Sequence, residues 1–352
     1  RRAKTVLSMV PAAGLAAAAG AGGLTSFADL RRPTPLKESF VYKRVDGRDL
    51  TLDVYPAGNT FPTSALPAIV FIHGGGWGSG STDHFAPPCR YFASRGMVAV
   101  NVMYRLTQGF FPDRPGVTIF DCIADAQDAV RWVRANAGKL GIDPKRIAVG
   151  GDSAGGHLAA CTGILPDPRT GKIEPDAVPN AMVLCNPVLD LVALLSWTGA
   201  VPGIREAPKD EQAAVARRAS PLLNLRPGLP PTIILHGTED KSVPVEQARQ
   251  LRERMTAAGS RCDAVIYEGV AHAFVLLDYY PDEAAVARAI VDIDRFLESL
   301  GYIEGPPTLA VQGAALPRHG RPPGRFRDRF QRSRGVQPVR HRSAPPAVGG
   351  GF

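Results

Sequence analysis

The residues 150–157, GGDSAGGH, place one hydroxyl among four glycines, directly after the apolar run RIAVG. Ile147, Ala148 and Val149 read as a short buried strand, and LAACTGIL after His157 is compatible with a helix. Ser153 therefore stands where a strand ends and a helix begins, flanked by Gly151 and Gly155 as G-x-S-x-G. Small neighbours let strand and helix approach closely while the serine takes a strained backbone conformation. The helix N-terminus adds free N–H groups and a positive dipole end, which suit a developing anion. Taken alone, this stretch also fits a structural turn with an incidental serine.

A second stretch, AIVFIHGGGWGSG (68–80), reads as a buried strand ending in His73, Gly74, Gly75, Gly76 and Trp77. Three consecutive glycines leave their N–H groups unshielded, as in an HGGG-type oxyanion loop, where the residue after the nucleophile supplies a further donor. A phosphate loop is the competing reading, but neither a following Lys-Ser/Thr nor a GxGxxG spacing with a later ribose-binding acid supports it. A serine needs a base to become a nucleophile, and the base needs an acid to fix its tautomer. PPTIILHGTEDKSVP (230–244) is a strand followed by a loop carrying Asp240. CDAVIYEGVAHAFVLL (262–277) is another strand followed by a loop carrying His272. Asp240 is preferred to Glu239, because D-x-x-V-P sets Val243 and Pro244 at a helix start behind it. His157 is read as packing on its helix, His236 as a structural neighbour of the acid loop, and His84 as a loop or helix-start residue.

Together, HGGGW, GGDSAGG, HGTEDKSVP and the late AHAF resemble the α/β-hydrolase superfamily, over roughly Leu36 to Leu300. They are most similar to its esterase/lipase group, which includes hormone-sensitive lipase and the bacterial acetyl- and feruloyl-xylan esterases. That resemblance implies Ser153 as nucleophile with Asp240 and His272 as partners. It implies oxyanion donors from Gly75, Gly76 and Ala154, and a pocket lined by Trp77. The expected reaction is hydrolysis of short carboxylic esters, possible substrates being acetyl or feruloyl esters of plant polysaccharide. A prolyl-oligopeptidase-like peptidase shares the fold but usually carries a propeller, for which 352 residues leave no room. A binding protein on a hydrolase fold would have no need of serine, acid and histidine together. The chemistry calls for no metal or organic cofactor.

The elements that must position these residues follow in order. Strand-like runs occur at 40–45, 50–55, 68–73, 98–104, 146–150, 181–186, 231–236 and 262–267. Helical segments are expected at Phe120–Leu140, Ala154–Leu165, Val245–Ala258 and Asp282–Leu300. A hairpin followed by alternating strands and helices predicts an α/β fold with a mostly parallel sheet. Ligands bind beyond the carboxyl ends of such strands, where all four motifs fall. The irregular insert 188–229 either caps the site, with Trp197 and Leu194–Leu195 as a wall, or packs its apolar residues inward. Tyr104 and Arg105 are assigned structural use.

The net charge of +8 belongs to the ends. Residues 1–32 carry +4 and residues 305–352 carry +8, leaving −4 for the catalytic segment 33–304. No nucleic-acid partner is therefore expected. The leader 1–32 has basic residues before an Ala/Gly-rich apolar stretch, the pattern of an export signal. Pro11 and the glycines argue against a stable membrane anchor. The tail 305–352, rich in Pro, Gly and Arg, is expected to be disordered. The five cysteines include no CxxC pair, and His, Cys and acids form no compact metal-ligand pattern.

Overall fold

The structure, a computed structural model, describes residues 24–32, 37–59, 64–107, 116–199, 201–277 and 279–311. Helix α1 (Phe27–Arg31) precedes a hairpin of β1 (Glu38–Val45) and β2 (Arg48–Tyr55). Then come β3 (Leu66–Ile72), α2 (Ala86–Ser94), β4 (Val98–Val102), α3 (Ile119–Ala135), α4 (Ala137–Leu140), β5 (Ile142–Asp152) and α5 (Ser153–Ile164). The chain continues with β6 (Ala181–Cys185), α6 (Leu195–Thr198), α7 (Gln212–Arg218), β7 (Thr232–Gly237), α8 (Glu246–Ala257), β8 (Cys262–Tyr267) and α9 (Glu283–Ser299).

The eight strands form one sheet in the order β1-β2-β4-β3-β5-β6-β7-β8. The pairs β1/β2 and β2/β4 are antiparallel, and every later pair is parallel. Strands β4, β6 and β7 are buried along their whole length, as expected where helices cover both faces of a parallel sheet. Helices α2 and α9 are tied together by Tyr91 Oη and Arg95 Nε, each donating to Asp294 at 2.7 Å. Helices α3 and α5 pack against each other, and α5 also lies against β3, β5 and β6.

Two expectations change. The single helix Phe120–Leu140 is interrupted at Asn136, whose amide donates back to the Trp132 carbonyl at 2.8 Å. The packed body also extends past 33–304 at both ends. Leu30 is fully buried, and its carbonyl accepts from Arg90 Nε at 2.6 Å. Thr308 Oγ1 donates to the Leu24 carbonyl at 2.9 Å, joining the two ends. Residues 1–23 of the leader and 312–352 of the tail lie outside the described residues. Among the described residues, no helix is long and apolar enough to cross a membrane, and all five cysteines are free and buried.

Candidate active site

Ser153 opens α5 immediately after β5, with φ +51°. A non-glycine residue held there stores about 1–3 kcal/mol of strain. The turn is possible because its neighbours lack side chains: a Cβ at Gly155 would lie 2.0 Å from the Ile72 carbonyl oxygen, and one at Gly151 2.5 Å from Gly155. The end of β3, the end of β5 and the start of α5 thus cross at backbone contact, and Ser153 is the side chain left facing outward. Trp77 and Ala273 also have positive φ, at +60° and +63°. Of the five described non-glycine residues with positive φ, these three stand at the turns carrying the motif residues, the others being Asp46 and Asn186.

Ser153 Oγ lies 2.8 Å from His272 Nε2, and His272 Nδ1 lies 2.6 Å from Asp240 Oδ2. The Asp240 carboxylate is saturated. Its Oδ1 accepts the N–H groups of Ser242 and Val243, both at 2.9 Å. Its Oδ2 also lies 3.1 Å from His236 Nε2. Burial by itself would raise the Asp240 pKa. The hydrogen bonds from His236, His272 and the Val243 N–H outweigh it and hold the carboxyl well below the usual range. Such an arrangement can pass the hydroxyl proton to the imidazole and stabilise the imidazolium that results. Glu239, the competing acid, has its N–H on the Val270 carbonyl at 3.0 Å and takes no part in this chain of contacts.

The loop after β3 faces the same space. Gly74, Gly75 and Gly76 line a cavity of about 670 Å³ together with Ser153 and His272. The Gly75 carbonyl accepts from the N–H groups of Gly78 and Ser79, closing the loop into a turn. The N–H groups of Gly75 and Gly76 have no protein acceptor among the described residues. Ala154 lies in the first turn of α5, where N–H groups lack intrahelical acceptors.

Asp152, which the motif reading passed over, anchors this loop. It is buried, and its Oδ1 accepts the Gly74 N–H at 2.8 Å. Burial pushes its pKa up to about 6, against the pull of the Gly74 N–H and of His272. The signal was present as the acidic x in G-x-S-x-G, but only the fold shows what it touches.

Trp77 departs from expectation. It is fully buried and does not line the cavity. Its Nε1 donates to His157 Nδ1 at 3.1 Å, and its ring stacks on Trp197 with centroids 6.0 Å apart. The indole at the cavity is Trp197, at 38% exposure, backed by Trp77. Leu194 is instead buried in the core and Leu195 packs against it, so the insert both caps and packs inward. His157 is buried, its Nε2 donating to the Ala219 carbonyl at 2.7 Å, and burial lowers its pKa to about 4. It joins the glycine loop, α5 and the insert.

His84, Lys241, Leu276 and Tyr279 complete the cavity wall. Tyr279, 70% exposed, stands beside the His84 ring at 5.6 Å. Nothing in their spacing marked them. Tyr104 stacks on His73 and donates to its carbonyl at 3.1 Å, while Arg105 pairs with Asp125 at 2.7 Å. Both are structural. No group of three or more His, Cys, Asp or Glu among the described residues is placed to hold a metal.

The BD-FAE family model matches residues 52–255, more than half of the chain, and the Dienelactone hydrolase family model matches residues 216–300. Esterase LipC of Mycobacterium tuberculosis is 31% identical over 62% of this chain, which spans 55% of LipC. Carboxylesterase NlhH of the same species is 30% identical over 76% of this chain and 86% of its own. A thermophilic esterase of Thermogutta terrifontis, Est2 with propionate bound, is 40% identical with a TM-score of 0.67, over 77% of this chain and 97% of its own. This chain belongs to the BD-FAE family, among the α/β-hydrolase esterases that resemble hormone-sensitive lipase.

Proposed function

We propose that the protein hydrolyses short-chain carboxylic esters through an acyl-enzyme on Ser153. The supporting observation is the run of contacts Ser153–His272–Asp240 at 2.8 and 2.6 Å, facing two unpartnered glycine N–H groups across one cavity. In this reading, Ser153 Oγ attacks the ester carbonyl carbon while His272 Nε2 takes its proton. The carbonyl oxygen becomes an oxyanion held by the N–H groups of Gly75, Gly76 and Ala154. As the tetrahedral intermediate collapses, the C–O bond to the alcohol breaks and His272 returns its proton to the leaving oxygen. Water then adds to the acyl-serine, with His272 again taking the proton; the bond between the acyl carbon and Ser153 Oγ breaks, His272 returns its proton to that oxygen, and the acid departs. Asp240 balances the imidazolium throughout.

The solved Est2 structures with propionate and with butyrate bound favour short acyl chains for this protein too. The family resemblance favours acetyl or feruloyl groups on plant polysaccharide, and the leader pattern of the first residues favours export. The test is hydrolysis of p-nitrophenyl esters from acetate to decanoate, with Ser153→Ala alongside. Rates that fall with chain length and vanish in the variant support the proposal, and acetylated xylan is then the next substrate. A folded wild-type protein that turns over none of them overturns it. Est2 is phosphorylated by paraoxon, so one diethylphosphoryl group on the Ser153 peptide is the matching mass-spectrometric result.

A further inference from the structure

Asp240 is approached by two imidazoles, and only His272 belongs to the mechanism above. His236, the next-to-last residue of β7, is fully buried. Its Nε2 lies 3.1 Å from Asp240 Oδ2, the same oxygen that His272 Nδ1 meets at 2.6 Å. The same Nε2 lies 2.9 Å from the Val243 carbonyl oxygen, which can only accept, so Nε2 carries the hydrogen. Nδ1 is then a bare acceptor, and it is buried without a partner. An unpaired buried nitrogen lowers stability, and an apolar side chain would fill the site without that cost. An apolar residue would, however, leave the buried Val243 carbonyl without its donor and remove the Nε2–H that stands 3.1 Å from Asp240 Oδ2, so the histidine ties the acid loop to its own carboxylate.

We propose that His236 is a positioning residue for the reaction. It meets the same Asp240 Oδ2 that His272 does, so the carboxylate keeps its aim while His272 gains and loses a proton. Val243 serves twice, its N–H on Asp240 Oδ1 and its carbonyl fixing the His236 tautomer. This rests on the roles proposed above for Asp240 and His272.

The test compares His236→Leu and His236→Gln in the full chain with p-nitrophenyl acetate. A carboxylate that drifts by about 1 Å can lower kcat by ~10²-fold. The expected result for His236→Leu is a kcat reduced about ten- to a hundredfold, with KM and Tm close to wild type. Gln, whose side-chain amide also donates, restores most of the rate. Wild-type kcat in His236→Leu overturns the proposal, and so does a joint loss of kcat and Tm in both variants. A second measurement does not depend on either variant being active. The ¹⁵N-histidine spectrum of the wild-type protein should show His236 as the Nε2–H tautomer, and an Nδ1–H tautomer overturns the proposal. Failure of the parent reading shows separately, as a Ser153→Ala variant that still turns over.

Discussion

Asp152→Asn tests the electrostatics of the site through stability as well as rate. In the folded protein the carboxyl is buried and its pKa is pushed up to about 6 from an ordinary 3.8. Ionising it in place is therefore harder than ionising it in the unfolded chain. The sign follows. Well below pH 3.8 both states are protonated and nothing is lost. As pH rises toward 6 the unfolded state ionises first, and wild-type stability falls. Above 6 the full penalty remains. A gap from 3.8 to about 6 corresponds to about 3 kcal/mol. Asparagine is isosteric and does not titrate, and its side-chain oxygen can still accept the Gly74 N–H. The difference in unfolding free energy, variant minus wild type, should thus grow by roughly 2 kcal/mol between pH 4 and pH 7. Other groups titrate in both proteins and cancel in that difference. Urea melts at pH 4, 5, 6 and 7 measure it, and kcat at pH 7 reports whether the loop keeps its aim. A difference that stays flat across this window refutes the assignment of a penalised, buried carboxylate. Asp152→Ala, which strips the acceptor from Gly74, should cost far more activity than Asn does.

Three further outcomes follow from the packing. Gly75→Ala places a Cβ 2.3 Å from the Ser79 carbonyl oxygen at a φ of +113°, so the loop must move. Losing an oxyanion donor in this way should lower kcat about 10²–10³-fold in steady-state assays, with modest change in KM. Trp77→Phe keeps the aromatic bulk but leaves His157 Nδ1 without its donor. It should lower stability by about 1–3 kcal/mol in urea melts, more than Trp197→Phe at the exposed cavity wall. The five cysteines are buried and free, with burial raising every thiol pKa. Native protein should resist Ellman's reagent, and denaturant alone should release all five thiols without reductant.

Much of the site was legible because its chemistry needs particular residue types at particular local spacings. G-x-S-x-G is a constraint among neighbours: with any side chain at Gly155, α5 could not reach the end of β3. The glycine run at 74–76 is likewise local, since N–H groups can face a cavity only where no side chain covers them. Asp240 was separable from Glu239 because D-x-x-V describes a turn, and that turn supplies the Val243 N–H to the carboxylate. The hydrophobic alternation and the buried apolar runs marked the strands. Their ends moved where a single residue decided, as when Asn136 interrupts the expected helix 120–140.

The sequence by itself determined the order of strands and helices, the candidate serine, its acid and base candidates, and the glycine loop. Each of these rests on interactions within about ten residues of chain or on residue types with few substitutes. Only the tertiary structure decided which face Trp77 turns to, what Asp152 and His236 hold, and which side chains wall the cavity. Trp77 and His157 lie 80 positions apart, and His272 and Ser153 lie 119 apart. Contacts across such separations are set by how the sheet stacks its strand ends, and no local pattern records them. The ends of the body depended on the same physics. Leu30 and Thr308 sit in segments whose composition reads as leader and tail, yet packing against α2 and against each other includes both in the fold.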